Sequence, residues 1–200
     1  MQDFFKDRAD EWDKGDVRVN GAKKIADAIK QKITLNQEMC IMDFGVGTGL
    51  LGFEIAKECK KVYGVDTSSK MLEKLQEKNT PELSIEPIHQ DIVKEPLDIK
   101  FDGIVSSMTL HHVKELKSFF EVIAKTLTKN GFIAIADLEP EDGTFHSNND
   151  GVHHFGFDEK ELSKILQKSG FENISFEHIN TIKKPHKDFK VFLVTAFLKG

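Results

Sequence analysis

The chain has 200 residues, of which 28 are basic and 33 acidic, giving a net charge of −5 at pH 7. This length suits one domain with a sizeable core, and the acidic balance argues against a protein held on nucleic acid by general electrostatics. The charged N-terminus lacks the apolar core of a signal peptide, and no apolar run approaches the roughly 18 residues that span a membrane.

The first 35 residues are predicted to be helical. Phe5, Ala9 and Trp12 share one face of a short helix, at spacings of four and three residues. A stripe of apolar residues predicts a second helix over residues 20–33. A short helix that packs its aromatic side chains on the domain surface is the simplest interpretation of the first segment.

A strand, a glycine turn and a helix are predicted where residues 39–52 read MCIMDFGVGTGLLG. The helix should run from about residue 48 to residue 59. Glycine adopts positive φ and lets a ligand approach the backbone, and the helix offers free N–H groups at its start. Asp43 precedes the first glycine, so the spacing is D-x-G-x-G-x-G rather than the dinucleotide fingerprint G-x-G-x-x-G. An acid there would repel a pyrophosphate and attract a cationic ligand, and a turn without a ligand is the alternative.

This stretch resembles the first motif of the class I S-adenosylmethionine-dependent methyltransferases, an apolar strand that ends in D/E-x-G-x-G-x-G. The resemblance implies an α/β Rossmann-like fold, with S-adenosyl-L-methionine as cofactor and S-adenosyl-L-homocysteine as product. It makes Asp43, Gly45, Gly47 and Gly49 candidate cofactor-binding residues. In this family the N-terminal segment often covers the cofactor, so residues 1–35 are also a candidate lid.

A second strand, residues 61–66, ends in an acid. Asp66 could accept hydrogen bonds from both hydroxyls of a ribose, although a negative charge at a helix N-terminus is the alternative role. The residues that follow Asp66 can cap a helix. The run V-D-x-S-x-x-M-L is similar to the second family motif, and Thr67 and Met71 are therefore candidates for the cofactor pocket.

A third strand, residues 83–89, contains Pro87, which removes a donor from the hydrogen-bond ladder and should confine the strand to a sheet edge. In the resembled family an acid at the position of Asp91 meets the adenine amino group. The next apolar residue, Ile92, would pack on the ring. Ser106, in a fourth strand over residues 101–108, completes the candidate cofactor pocket.

A helix is predicted to start at the run Leu-His-His after the fourth strand and to reach about residue 128. The run F-D-x-I-V-x-x-x-x-L-H-H-V is again similar to the family. His111 is a candidate catalytic base because imidazole titrates near neutrality. Packing or a backbone hydrogen bond is the alternative role for this histidine.

A long loop, residues 137–157, follows a continuously apolar fifth strand. Such loops are usually functional or disordered, and its aromatic residues argue against disorder. His146, His153 and His154 are candidate bases or pocket residues, and a loop folded on its own aromatic side chains is the alternative. Imidazoles and carboxylates also bind divalent metals, but the spacing matches no metal motif, so no metal site is predicted.

The last helix is predicted to begin at Asp158 and to close at Gly170. Residues 172–182 and 189–198 are two strands that should form an antiparallel pair. Five parallel strands followed by such a pair is the order of the resembled fold. We therefore expect a mostly parallel sheet of seven strands with an antiparallel C-terminal pair and helices on both faces.

The sequence thus predicts a single methyltransferase domain over residues 1–200. Its parts would be a lid (1–35), a cofactor-binding half (36–137) and an acceptor-side loop, helix and hairpin (138–200). The expected partner is a small-molecule methyl acceptor, because the resembled family often acts on small molecules and the chain is acidic. No nucleic acid or membrane partner is expected. The N/D-P-P-Y/F motif of adenine and glutamine N-methyltransferases is absent. The two cysteines show no disulfide framework, so a cytoplasmic location is expected, and the oligomeric state is left open.

Three other functions fit parts of the sequence. A non-catalytic S-adenosylmethionine-binding protein would keep the cofactor motif without an acceptor site. An enzyme of the same fold could use a related nucleoside cofactor for another group transfer. An NAD-dependent enzyme is disfavoured by the glycine spacing and by the position of Asp43.

Overall fold

The computed structural model describes residues 6–200, with side chains described from Ala9 onward. Phe5, which the sequence groups with Ala9 and Trp12, lies outside the described residues. The described chain begins with a 3₁₀ helix, Lys6–Lys14, followed by helix α1, Asp16–Lys32. Helix α1 begins earlier than the predicted residue 20, with the acid Asp16 in its first turn, where it complements the helix dipole.

Seven strands form one sheet. In chain order, β1 to β7 span Cys40–Phe44, Lys61–Asp66, Ile85–His89, Phe101–Ser107, Leu127–Leu138, Phe171–Lys183 and Asp188–Leu198. Their order across the sheet is β3-β2-β1-β4-β5-β7-β6. The first five strands are parallel, and β7 runs antiparallel to both β5 and β6. The predicted sheet is therefore confirmed, including the edge position of β3, the strand that contains Pro87.

Four further helices complete the fold. Helices α2 to α5 span Leu50–Ala56, Ser69–Lys78, Leu116–Thr126 and Glu159–Lys168. The side chain of Ser68 caps α3 by accepting a hydrogen bond from the N–H of Met71. Asp158 caps α5 in the same way, accepting from the N–H groups of Lys160 and Glu161. No helix in the described part of the chain has the length and apolar character to cross a bilayer.

The helices cover both faces of the sheet, as predicted. One apolar layer contains buried residues of α1, α2 and α3, such as Ile29, Ile55 and Leu75. The other contains buried residues of α4 and α5, such as Phe119 and Leu166. Burial of both faces explains why residues 132–136 of β5 are continuously apolar.

The segment after β4 forms a short 3₁₀ helix, Leu110–His112, before α4 begins, so the predicted single helix is interrupted. Carbonyl groups that a continuous helix would use are bound by the long loop instead. The carbonyl of His111 accepts from the N–H groups of His153 and His154, at 2.9 and 3.3 Å. The carbonyl of Val113 accepts from Nε2–H of His154 at 2.9 Å. The long loop therefore packs against the end of β4.

Candidate active site

The glycine turn connects β1 to α2 at the carboxyl edge of the sheet. Gly45, Gly47 and Gly49 all have positive φ, of 70°, 55° and 89°. A Cβ on Gly45 would lie 2.2 Å from Cγ2 of Thr109, the residue that follows β4 by two positions. The turn can therefore form only with glycine at this position, and it brings the β1 and β4 ends into contact.

Asp43 lies on β1 directly below the turn and is fully buried, with 1% of its surface exposed. Neither carboxylate oxygen has a hydrogen-bond partner of ordinary geometry among the described residues. Burial, together with the nearby charge of Asp66 and against the lowering effect of the facing amide of Gly52, raises the pKa of Asp43 to about 8. A buried acid of this kind is stabilised in its charged form by a cation, as the sequence predicts for this position.

Asp66 ends β2 beside the turn. One carboxylate oxygen accepts a hydrogen bond from the N–H of Gly47, and the other accepts from the N–H of Ser68, each at 2.8 Å. Asp66 thus fixes both the glycine turn and the start of α3. A carboxylate at this position is also an acceptor for the hydroxyl groups of a ligand.

Asp91 and Thr67 lie together beyond the ends of β3 and β2. They help to line a cavity of about 320 Å³, with His89, Gln90, Lys94 and Glu95. One oxygen of Asp91 accepts from the N–H of Val93, and the other pairs with Lys94 at 2.7 Å. A cavity of about 420 Å³ lies at the opposite edge, beside Asp102 and Asn130. The smaller one is the better candidate because open α/β sheets bind ligands at the carboxyl ends of their strands.

Three other candidate cofactor residues are buried beneath this edge. Ile92 and Met71 are 1% and 2% exposed and pack within the core. Ser106 donates a hydrogen bond from its hydroxyl to the carbonyl of Phe44 at 2.7 Å, which joins the ends of β4 and β1. In this conformation these side chains support the pocket from below, and direct contact with a cofactor stays a prediction for all three.

The N-terminal 3₁₀ helix lies against the glycine turn. Asp13 accepts a hydrogen bond from the hydroxyl of Thr48 at 2.6 Å and pairs with Lys78 of α3, also at 2.6 Å. The indole nitrogen of Trp12 is 4.0 Å from the position that a Cβ on Gly47 would occupy. This contact supports the prediction that the segment covers a ligand in the turn.

The histidine cluster, which we define as His111, His112 and His146, lies at the same edge beside the ends of β4 and β5. Each residue offers a ring nitrogen that lies within 4.8 Å of the nitrogens of the other two. Of the four histidines that the sequence singles out as catalytic candidates, the fold thus joins His111 and His146. It adds His112, which those candidates leave out.

Asp137 at the end of β5 fixes the orientation of His111. Nδ1–H of His111 donates to one carboxylate oxygen at 2.8 Å, and the backbone N–H of His111 donates to the other at 3.2 Å. Both side chains are at most 1% exposed. The Nε2 atom of His111 is buried without a hydrogen-bond partner among the described residues. The arrangement resembles that of a base and its orienting carboxylate, with a buried imidazole nitrogen available to a ligand.

His112 and His146 complete the cluster from two segments. Nδ1–H of His112 donates to the carbonyl of Gly151 at 2.8 Å. Burial lowers the pKa of His112 to about 4, with a further contribution from the neighbouring His111. Burial also lowers the pKa of His146 to about 4, reinforced by His111, His112 and Lys184. Both imidazoles are therefore neutral at pH 7.

The other two loop histidines lie outside the cluster. His154 is held by the carbonyl of Val113 through its ring, and its ring also stacks near Phe157, with ring centroids 5.3 Å apart. His153 is exposed and contacts the end of β4 through its backbone N–H. Their catalytic roles stay predictions, and their positions favour a structural role. Sequence reasoning missed Asp137, although an acid at the carboxyl end of a parallel strand is the signal that could have indicated it.

Comparison with known proteins identifies the class to which this fold and site belong. A family model described as a methyltransferase domain matches residues 42–135. An uncharacterised methyltransferase of Schizosaccharomyces pombe is 32% identical over 68% of this chain and 54% of its own length. An uncharacterised methyltransferase of Geobacillus sp. strain WCH70 is 30% identical over 66% of this chain and 68% of its own length. The solved structure of a DhpI–SAH complex superposes with a TM-score of 0.77 over 98% of this chain and 94% of the other, at 17% identity, which shows the fold alone.

The chain belongs to the class I S-adenosylmethionine-dependent methyltransferase family. The comparisons confirm the family and the fold that the resemblance implies, and the cofactor of this family is S-adenosyl-L-methionine, as predicted. The chain spans about half the length of the first curated relatives that it matches, 54% and 49% for the first two.

Proposed function

We propose that this chain is a methyltransferase that uses S-adenosyl-L-methionine and releases S-adenosyl-L-homocysteine. The observation that carries the proposal is the glycine turn with two acids beside it. Asp43 is buried without an ordinary hydrogen-bond partner, and Asp66 ends the next strand. A positively charged ligand with ribose hydroxyls would satisfy both acids, whereas a pyrophosphate would be repelled by them.

The residues present fit this cofactor. Gly45, Gly47 and Gly49 leave three positions of the turn without a side chain, and the buried oxygens of Asp43 favour a cation. Asp66 has hydrogen-bonding capacity for the ribose. When bound, S-adenosyl-L-methionine supplies a methyl group that its sulfonium has already activated.

The chain itself has to bind, align and shield the reactants. Alignment of two reactants can contribute about 7–11 kcal/mol to a barrier reduction. The N-terminal 3₁₀ helix, tied to the turn through Asp13 and Thr48, would exclude water from the cofactor side. On the acceptor side, His111 is the candidate base, because Asp137 orients its ring and its buried Nε2 has no hydrogen-bond partner in residues 9–200.

The acceptor that we propose is a small molecule. The long loop covers the acceptor side, since its backbone is hydrogen-bonded to the end of β4 at His111. A site covered by a loop suits a small ligand better than a macromolecule. Cys40 and Cys59 are both free thiols, which supports the proposed cytoplasmic location.

Calorimetric titration with S-adenosyl-L-homocysteine tests the cofactor site, with NAD as the control ligand. We expect micromolar or tighter binding of S-adenosyl-L-homocysteine and none of NAD. Binding of NAD alone would overturn the proposal. Product analysis with S-adenosyl-L-methionine and a panel of small hydroxyl, amine and thiol acceptors then separates the alternatives. Binding without turnover over the whole panel would favour a non-catalytic binding protein, and transfer of a group other than methyl would favour the related-cofactor enzyme.

A further inference from the structure

The rings of the histidine cluster are oriented as metal ligands usually are. His111 donates Nδ1–H to the carboxylate of Asp137, and His112 donates Nδ1–H to the carbonyl of Gly151, each at 2.8 Å. In metal sites a histidine typically donates its second ring nitrogen to a carboxylate or a backbone carbonyl, which fixes the tautomer and the ring plane. In both rings Nε2 is therefore the atom that would bind a metal.

The buried polar atoms of the cluster indicate a missing partner. Nε2 of His111 and Nδ1 of His146 are both buried without a hydrogen-bond partner in the described chain. His111 is 1% exposed, so bulk water cannot readily satisfy its nitrogen. A buried polar atom without a partner is costly, and native proteins rarely retain one unless a ligand, ion or water completes it.

The charges around the cluster favour a cation. Asp137 is fully buried. Among the contacts described, its carboxylate accepts hydrogen bonds from two N–H groups of His111 and from the backbone N–H of Leu138, and from no cationic Lys or Arg side chain. A divalent cation on the far side of the His111 ring would compensate this negative charge. Lys184 opposes the cation, since its ammonium group donates to the carbonyl of Phe145 next to His146.

We propose that His111, His112 and His146 bind one divalent transition-metal ion, of which Zn²⁺ is the representative. Three imidazoles with a fourth position open is the ligand set of catalytic zinc sites, and imidazole also suits copper, iron and nickel. Zinc–nitrogen bonds of about 2.0–2.1 Å place ligand nitrogens about 3.3 Å apart in a tetrahedral site. The present separations of up to 4.8 Å therefore have to shorten, and His146 can move because it lies on a half-exposed loop.

The site explains why the sequence alone predicts no metal. Metal motifs with short spacing place all ligands on one turn or helix, whereas here the third ligand comes from a loop that packs back on the end of β4. The backbone contact between that loop and the carbonyl of His111 holds His146 within reach. The ligand set is thus created by the tertiary fold.

The role of the metal rests on the proposed function. Its open coordination position would bind an oxygen, nitrogen or sulfur atom of the methyl acceptor and hold it beside the glycine turn, which Thr109 connects to this segment. His111 would then be a ligand rather than a base. The site therefore selects small acceptors that carry a metal-binding heteroatom.

Zinc titration of the chelator-treated full chain tests the site, with wild type compared with His146→Ala and His186→Ala. His186 is an exposed histidine of the β6–β7 loop, outside the cluster, and serves as the matched control. We expect one equivalent to bind to wild type and to His186→Ala with equal affinity. Binding to His146→Ala should be weaker by more than about a hundredfold, because even the loss of an outer partner costs 10–100-fold. Equal affinity of wild type and His146→Ala, or no saturable binding to wild type, would overturn the site.

Two additional measurements keep the test decisive. Cobalt(II) bound to wild type should show the visible absorption of a four-coordinate complex, and this absorption should be absent with His146→Ala. A six-coordinate spectrum in wild type would overturn the three-imidazole ligand set. Circular dichroism of each variant establishes that it is folded. Zinc binding and S-adenosyl-L-homocysteine binding are measured separately. Failure of the metal site and failure of the proposed methyl transfer can therefore be told apart.

Discussion

The glycine turn and the histidine cluster lie at the same edge of the sheet but are built differently. The turn is made of consecutive backbone, residues 43–49, and its main partner, Asp66, is bonded to backbone N–H groups. The cluster is made of side chains from two segments, and outer partners fix the rings of His111 and His112. A backbone site is specified by glycine and can recur with little change, whereas a side-chain site depends on how one loop packs. This difference is what a shared cofactor and a variable acceptor require.

The largest effect is expected when a glycine of the turn is replaced by alanine, compared with a glycine elsewhere. Gly45→Ala places a Cβ 2.2 Å from the side chain of Thr109 at a φ of 70°. Overpacking should cost about 1–3 kcal/mol, and the left-handed backbone about 1–2 kcal/mol more. We expect loss of S-adenosyl-L-homocysteine binding and a lower melting temperature. Gly170→Ala is the control, because its φ is 92° but the nearest atom is 3.7 Å away. Equal melting temperatures for the two variants would contradict the steric argument.

The next prediction tests whether the two sites are independent. Asp66→Ala should weaken S-adenosyl-L-homocysteine binding by about 1–3 kcal/mol, the cost of removing hydrogen bonds to a charged group. Zinc affinity should not change. Asp66→Asn, which retains one acceptor oxygen, should lose less, and Glu86→Ala removes only an exposed carboxylate paired with Lys61. An unchanged cofactor affinity in Asp66→Ala, measured by calorimetry, would remove the assigned role.

A further effect should appear in the pH dependence of stability. Asp43 has a pKa of about 8 in the folded chain, well above its value of about 3.9 in an unfolded chain. Between these values the folded state holds a proton that the unfolded state has released, so stability falls as pH rises from about 4 to 8. Asp43→Asn should remove this decline and melt higher than wild type at pH 8 in the absence of ligand. Thermal melts at pH 5 and pH 8 measure it, and a parallel decline in both proteins would refute the assignment.

The smallest effect concerns the N-terminal cover of the turn. Asp13→Ala removes the contacts to Thr48 and Lys78, which are partly exposed and therefore worth about 0.2–1 kcal/mol. We expect a modestly faster dissociation of S-adenosyl-L-homocysteine in stopped-flow measurements. Asp10→Ala is the matched control, since Asp10 pairs only with Lys74 among the contacts described and does not reach the turn. Identical dissociation rates for the two variants would argue against a lid.

The cofactor half was predictable from sequence because its signals are local. A strand that ends in Asp43 and a turn of alternating glycines are readable within a few residues, and the edge position of Pro87 follows from a missing donor. The interruption of the helix that was predicted to start at Leu110 was not predictable. It depends on carbonyl groups that bind a loop about forty residues further along the chain.

The histidine cluster shows the same limit more sharply. His111 and His146 are candidates in the sequence, but nothing in their spacing indicates that their rings lie 4.9 Å apart. Asp137 was missed because the predicted long loop includes it, whereas it lies near the carboxyl end of β5, the position that could have indicated its function. Only the pairing of β4 with β5 places it beside His111.

The position of β7 has a consequence for how the protein is made. β7 follows β6 in the chain, yet it lies between β5 and β6 in the sheet. While a ribosome is still translating residues 188–198, β5 has an open edge and β6 has no neighbouring strand. Helix α1, which bonds to β6 through Lys24 and Asn180, also lacks its final docking surface. Synthesis that stalls in this segment would leave an apolar strand edge exposed to chaperones and to other nascent chains, so completion of the sheet waits for its last strand.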